Sequence, residues 1–381
     1  MTVQSIKKHR EPWMLGSNFL EQIEKAENLS DFLRTHAGRE FYQKYLLENP
    51  AQFGAAPIFK GQPTAGDVHV NQPLTAISIA FLPSLDTMVA DKVFPNVPVT
   101  KQSDRYVTYP KGAWFRSDAQ DRAPGTESAG SGYSIDSTPT YFCKPIALHK
   151  DIDDMLRGNA DAMIDLDRNA SEFVTRALVI KRERDWAAAY FTTSKWTGST
   201  TGGDITPGTL WSAAGSTPIE DIQAQIDSVQ AKTGYKPNRF VMGKSVASIL
   251  KNHPEFLDRI KYTQQGVVTL ELMAAVLGLE KVLEAEAIQN TAIEGAADAL
   301  NYIADKQDAL LVYAAPQPSL LVPSAGYTFS WTGYTGAGPS GQRVSRFRME
   351  HLRSDRVEGE MAYDLKMIAP ELGAFFNEAV A

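Results

Sequence analysis

The chain has 381 residues, 43% of them hydrophobic and 22% charged, and a formal net charge of −7. That length allows two or three domains with a sizeable core, and the balance is that of a globular chain rather than a disordered one. The acidic excess excludes bulk neutralisation of nucleic acid, which needs surplus Lys and Arg, but leaves room for a surface that merely faces DNA.

At the N-terminus Lys7, Lys8 and Arg10 are followed by Glu11 and Pro12 instead of an apolar run, so no signal peptide is expected. The apolar runs fall short of the roughly 20 residues that cross a bilayer, which predicts a soluble, cytoplasmic chain with no membrane partner. Residues 17–48 read as helical, with Ser17 as a cap before Leu20, Ile23 and Leu29. A second piece from Ser30 or Asp31 carries Phe32, Leu33, Phe41, Tyr45 and Leu46 and stops at Asn49-Pro50. Pro50, Pro57, Pro63 and Pro73 with Gly54, Gly61 and Gly66 mark residues 50–73 as an extended connector. A helical head on such an arm suits clasping a neighbour and packing on its own domain equally well.

Lys101–Lys150 reads as a long β-arm. Arg105 to Tyr109 alternate like a strand, Trp114-Phe115 follow, and the return leg runs through Tyr133, Ile135, Tyr141, Phe142 and Cys143. Between Ser117 and Gly132 no side chain is both apolar and larger than Ala. A lone two-stranded hairpin is marginal in water and its open edges are pairing templates, so the arm makes sense when another molecule covers it. Cys143 is the single cysteine. It excludes an intramolecular disulfide, fits a reducing compartment, and reads as a half-buried small hydrophobe in preference to a nucleophile.

Residues 159–193 are predicted as one helix. Met163, Leu166, Ala170, Phe173, Ala177 and Ile180 recur at 3-and-4 spacing, with Asp165, Arg168, Glu172, Arg176 and Arg182 largely off that stripe. Unbroken, it would span roughly 50 Å. Residues 194–216, rich in Gly, Ser and Thr, read as a loop or short strands. An α/β unit follows. Thr217, Pro218 and Glu220 form a capping box ahead of Ile219, Ile222, Ile226 and Val229, with Gly234 as the C-terminal cap. Arg239–Met242 is a strand, Ser245 caps a helix over Val246–Asn252, and Thr269–Leu277 is a helix closed by Gly278. Val282–Ile288 and Ala309–Ala314 read as strands. The tail returns to β: Tyr327–Trp331, a glycine-rich turn, then one or two long strands over Arg343–Tyr363. The ordered part is expected to end at Met367–Gly373.

Gly243-Lys244-Ser245 lies where a phosphate-binding loop would, but Asn238 occupies the position of the required first glycine, so a helix start is expected. Gly336 to Gly341 spell G-x-G-x-x-G, yet a strand follows where the dinucleotide fingerprint needs a helix. The six histidines are scattered without zinc spacing, and no nucleophile elbow occurs. Asp151, Asp153, Asp154, Asp161, Asp165 and Asp167 lack the glycine and terminal Glu of an EF-hand and read as residues favoured at helix N-termini. Arg343, Arg346, Arg348, Arg353 and Arg356 are diluted by Glu350, Asp355, Glu358 and Glu360, so inter-subunit ion pairs or a solvated strand face are expected instead of a nucleic-acid stripe. No catalytic, cofactor or metal residue is predicted.

The order of these elements resembles the major capsid proteins of tailed double-stranded DNA bacteriophages, with their Hong Kong 97-type α+β fold. Three strings carry the likeness locally: Asp67-Val68-His69-Val70-Asn71-Gln72-Pro73-Leu74-Thr75, Lys236-Pro237-Asn238-Arg239-Phe240-Val241-Met242-Gly243, and Met367-Ile368-Ala369-Pro370-Glu371-Leu372-Gly373. It covers most of residues 67–375. It implies an N-terminal segment and arm over 1–75, a peripheral part over 76–100, an extended hairpin loop over 101–150, a spine helix and peripheral domain over 151–216, an axial domain over 217–325, and a return to the peripheral domain over 326–381. Many members lose an N-terminal segment to a protease, a cleavage not expected in a chain that begins at Met1.

The implied function is structural: self-assembly into hexamers and pentamers of an icosahedral shell, enclosing double-stranded DNA without sequence-specific contacts. Portal and scaffolding or decoration proteins would be further partners, in a virion made in the host bacterial cytoplasm. Arg105, Tyr109, Trp114, Phe115, Arg116 and Asp118 of the arm, with Arg346, Arg348 and Arg353, are the expected interface residues. An encapsulin-like compartment is the first alternative, and a soluble enzyme of unknown class the second.

Overall fold

A computed structural model of the chain describes residues 85–160, 165–260, 268–318, 322–333, 337–338 and 340–381. The chain divides into two compact units, 1–62 and 63–381, and every described residue belongs to the second. The helices expected over 17–48 and the connector 50–73 lie outside the described residues.

A 3-10 turn Leu85–Thr87 and the short helix α1 (Ala90–Val93) lead into β1 (Asn96–Val99). The arm follows: β2 (Ser103–Arg105), a helical turn α2 (Lys111–Trp114) and β3 (Thr140–Phe142). β4 (Lys144–Asp153), α3 (Asp154–Asn159) and the 25-residue helix α4 (Leu166–Tyr190) come next. The axial part holds α5 (Pro218–Thr233), β5 (Arg239–Gly243), α6 (Lys244–Lys251), α7 (Pro254–Ile260), α8 (Leu270–Leu277), β6 (Lys281–Ala285), β7 (Ile288–Asn290), β8 (Leu300–Tyr302) and β9 (Ala309–Val312). β10 (Gly326–Trp331), β11 (Gln342–Met349), β12 (Ser354–Met367) and β13 (Gly373–Phe376) close the chain.

Two sheets organise the unit. In the peripheral sheet the long β12 is the spine: β4 pairs along one side, and β11 then β10 pair along the other, all antiparallel, while β1 lies parallel to β10. The axial sheet has the order β13-β9-β5-β6. β9 and β13 are short, fully buried apolar runs, as expected of strands covered on both faces, while the edge strand β6 carries Lys281 and Glu284. Phe240, Met242, Leu311 and Phe376 face a core shared with Ile222, Ile226, Val229, Phe256 and Met273 of the axial helices. Val241, Leu310, Val312 and Phe375, one residue out of phase, face a second core with Val93, Phe94, Trp186, Phe191 and Trp196. The second core roots α4 in the axial sheet.

Several expectations change. β4 belongs to the peripheral sheet, so the arm proper ends near Cys143. The predicted 159–193 helix is divided: α3 ends at Asn159, Asp165 caps α4 by accepting from Arg168 N at 3.0 Å, and 161–164 lie outside the described residues. α4 alone spans about 37 Å. Its buried line is Ala170, Val174, Leu178, Arg182 and Trp186, and Phe173 faces out at 52% exposure. The sequence stripe chose the neighbouring line because Phe173, Ala177 and Ile180 are also apolar. Arg182 is buried because it pairs with Asp91. The capping box at α5 does not form: Thr217 makes no side-chain cap, and Ile219 N donates to Glu255 Oε2 at 3.0 Å. Ser245 lies inside α6, which begins at Lys244. The stretch 343–363 is a hairpin, turned by a 3-10 segment Glu350–Leu352 and Arg353 at φ 47°. The chain stays ordered beyond Gly373, since β13 is fully buried and pairs β9.

Candidate assembly surface

The arm is built from little regular structure. Ser103–Arg105 pairs with Thr140–Phe142, and one further bridge joins Thr108 to Asp136. Its base is fixed by stacking: Tyr106 and Tyr141 flank Phe329 of β10, with ring centroids 5.6 and 4.7 Å away. Cys143 sits beneath them, fully buried, its thiol donating to Phe329 O at 3.4 Å. Burial, and secondarily Asp364, push that thiol up to about 12, which suits packing and not nucleophilic chemistry.

Further out, Tyr109, Trp114 and Tyr133 form an aromatic cluster that joins the outgoing and return legs, with centroids 5.3 to 6.0 Å apart. Trp114 and Tyr133 remain 55% and 59% exposed, and Ile135 beside them in sequence 56%. Among the sequence-predicted arm residues, Tyr109 and Trp114 are thus brought together. Asp118 accepts from Ser131 Oγ at 2.6 Å across the tip. Arg105 and Arg116 are exposed. Phe115 turns the other way, with its ring edge over Gly234 at the C-terminus of α5. Lys111 donates to Lys232 O at 3.2 Å and pairs with Glu371. The arm's first turn thus touches its own chain through Lys111 and the Phe115 ring edge, while the rest of the Phe115 ring stays open at 64% exposure, whereas the sequence suggests an arm covered by another molecule. Lys111 and Glu371 are 260 positions apart, and no local pattern could have joined them.

Arg346, Arg348 and Arg353 lie on another element, the β11–β12 hairpin. The first two find carboxylates in their own chain: Arg346 with Asp167 and Asp355, Arg348 with Asp154 through two bonds of 2.5 and 2.6 Å. Arg356 holds Asp151 through bonds of 2.7 and 2.8 Å, Arg157 bridges Asp167 and Asp355, and Arg343 pairs with Glu360. Within the chain these pairs tie β11 to α3, α4 and β12, α3 to α4 and β12, and β12 to β4. The guanidiniums hold the Asp151, Asp154 and Asp355 carboxyls below their ordinary range. Arg353 is exposed at the turn. Asp153 and Asp165 cap α3 and α4, as the helix-terminus reading predicts.

No group of three or more metal-ligating side chains exists among the described residues. Ser216 Oγ lies 3.0 Å from His253 Nε2, both buried. Glu255 N donates to His253 Nδ1, so Nδ1 is the acceptor and Nε2 carries the proton given to Ser216. That tautomer cannot take a proton from the serine. Lys244 of the glycine–lysine–serine string is held by Glu284 and Glu286, and Asn238 is tied to Ala314 N and O. No helix among the described residues is long and apolar enough to cross a membrane.

Residues 199–300 match the family model described as phage major capsid protein E. The major capsid protein of Burkholderia phage BcepMu is 28% identical over 183 residues, 46% of this chain and 57% of that protein. The chain thus matches little more than half the length of that relative. The major capsid protein of Pseudomonas phage JBD67 is 28% identical over 82% of this chain and 97% of its own. Among solved structures, a subunit of the bacteriophage PhiM1 mature capsid superposes with a TM-score of 0.51 at 11% identity, covering 85% of this chain and 92% of its own. The fold is the Hong Kong 97-like α+β capsid fold.

Proposed function

We propose that this chain is a phage major capsid protein, the repeating subunit of an icosahedral shell that associates as hexamers and pentamers around double-stranded DNA. The carrying observation is the aromatic cluster of Tyr109, Trp114 and Tyr133, whose Trp114 and Tyr133 are exposed, on an arm whose two strands have three residues each. Such a ribbon is too short to be stable alone, and its apolar side fits a neighbouring subunit. At about 25 cal/mol per Å², one such contact is modest once association costs are removed. Repetition over many copies makes a closed shell stable. An acidic chain in which Arg343, Arg346, Arg348 and Arg356 are engaged by its own carboxylates is suited to enclosing DNA without reading it. Portal, scaffolding or decoration proteins would complete a virion assembled in the host bacterial cytoplasm.

Deleting 117–132, which spares the seat of Lys111 and Phe115, is the test. A soluble, folded subunit that forms no shells by electron microscopy is expected. Normal shells from the deletion would remove the arm from the account.

A further inference from the structure

The described residues hold several features outside the shell reading: the buried Ser216–His253 pair, the exposed hairpin face of Ile288, Leu300 and Tyr302, the outward Phe173, and the seat of Lys111 and Phe115. The first is a structural tie. Nothing indicates what covers the second and third. The fourth joins two parts of the chain through charge, hydrogen bonding and shape together.

The seat is rigid. Lys232, whose carbonyl receives Lys111, donates its own Nζ to Thr197 O at 3.1 Å and to Ser199 O. Gly198 N donates to Gly373 O at 2.9 Å and Thr197 N to Pro370 O at 3.0 Å, so the 197–199 loop is bonded to the 370–373 turn that carries Glu371. A Cβ at Gly198 would stand 2.4 Å from Glu371 O, so the approach needs glycine there. A Cβ at Gly234 would stand 2.8 Å from Phe115 Cζ. Gly234 has φ 76° as the C-terminal cap of α5, so the same missing side chain ends the helix and admits the ring.

The legs beyond the seat have no such support. Between Lys111 and Thr140 the described contacts include the aromatic cluster, the Thr108–Asp136 bridge, the Asp136–Thr138 turn, a turn at Ala123–Thr126 and the Asp118–Ser131 bond, all of them within the arm itself. The seat is therefore the last point at which the subunit's body controls the arm's direction.

We propose that Lys111 and Phe115 are positioning residues that aim the arm at the neighbouring subunit from a fixed seat on α5 and the 370–373 turn. This rests on the shell reading. It separates the arm into a seated turn, 111–115, and a reaching tip, 116–134. Loosening the seat leaves the subunit folded and the tip intact, but widens the angles at which the arm leaves.

The full-length protein, Lys111→Glu, Glu371→Lys, the double exchange and Phe115→Ser provide the test. Hydrogen exchange over 109–116 is read in unassembled subunits, and shell yield and size distribution by electron microscopy. The Lys111–Glu371 pair is 49% and 42% exposed, so losing it should raise exchange about two- to fivefold. The single variants and Phe115→Ser should give fewer and more heterogeneous shells, with the double exchange recovering uniform ones. Single variants with unchanged exchange, or with shells as uniform and abundant as those of the parent protein, would overturn the aim alone. Failure of the parent protein to form any shell would overturn the shell reading and the aim with it.

Discussion

Glu183 shows how one side chain fixes a segment far away in sequence. It is buried on α4, and its two carboxylate oxygens accept from Val89 N at 3.0 Å and Ala90 N at 2.9 Å, closing the start of α1. Glu183→Ala strands two buried N–H groups, a loss of about 1–3 kcal/mol in urea unfolding. An unchanged midpoint would remove the clamp. Asp308 gives the pH-dependent case. Burial pushes its carboxyl from an ordinary 3.8 up to about 6, while Glu378 N donates to it at 2.8 Å. The folded state therefore holds this proton more tightly than the unfolded chain. Its contribution is complete below about pH 4 and is lost as the pH rises to about 6. Relative to Asp308→Asn, the parent protein should lose stability across that window, and parallel curves would contradict the assignment. Neither role was legible in the sequence, because both depend on partners brought in by the fold.

At the scale of elements, the clearest contact is between α4 and the peripheral sheet. A Cβ at Gly359 of β12 would stand 2.3 Å from Val174 Cγ1, so glycine sets the distance between helix and sheet. Gly359→Ala should cost about 1–3 kcal/mol, with Val174→Ala recovering part of it in a double-mutant cycle. Additive effects would show that the two do not touch. The Arg–Asp network at the other end of the sheet acts oppositely to Asp308. Its carboxyls are held low by Arg346, Arg348 and Arg356, so its support is present above about pH 4 and fades as pH falls further. Element type was legible wherever local chemistry decides it: the Ile219, Ile222, Ile226 and Val229 stripe is buried, and Gly234 and Gly278 are left-handed caps. It failed where the partner is remote. GAFF at 373–376 is four residues without periodicity, and only its pairing to β9 makes it a core strand.

For the whole molecule, the order of hairpin legs, long helix and α/β stretch was legible because each is a run of local signals. The seat of the arm was not, since it joins Lys111 to Glu371 and Phe115 to Gly234 across the chain. A short turn of the arm touches the chain's own body, and the proposed cover for its exposed aromatic side is a neighbouring subunit. Electron microscopy of the purified full-length protein tests that assignment most directly. Closed icosahedral particles with arm density crossing between adjacent subunits are the predicted result. A monodisperse monomer at assembly concentrations, with Trp114 and Tyr133 protected by its own body, would contradict it.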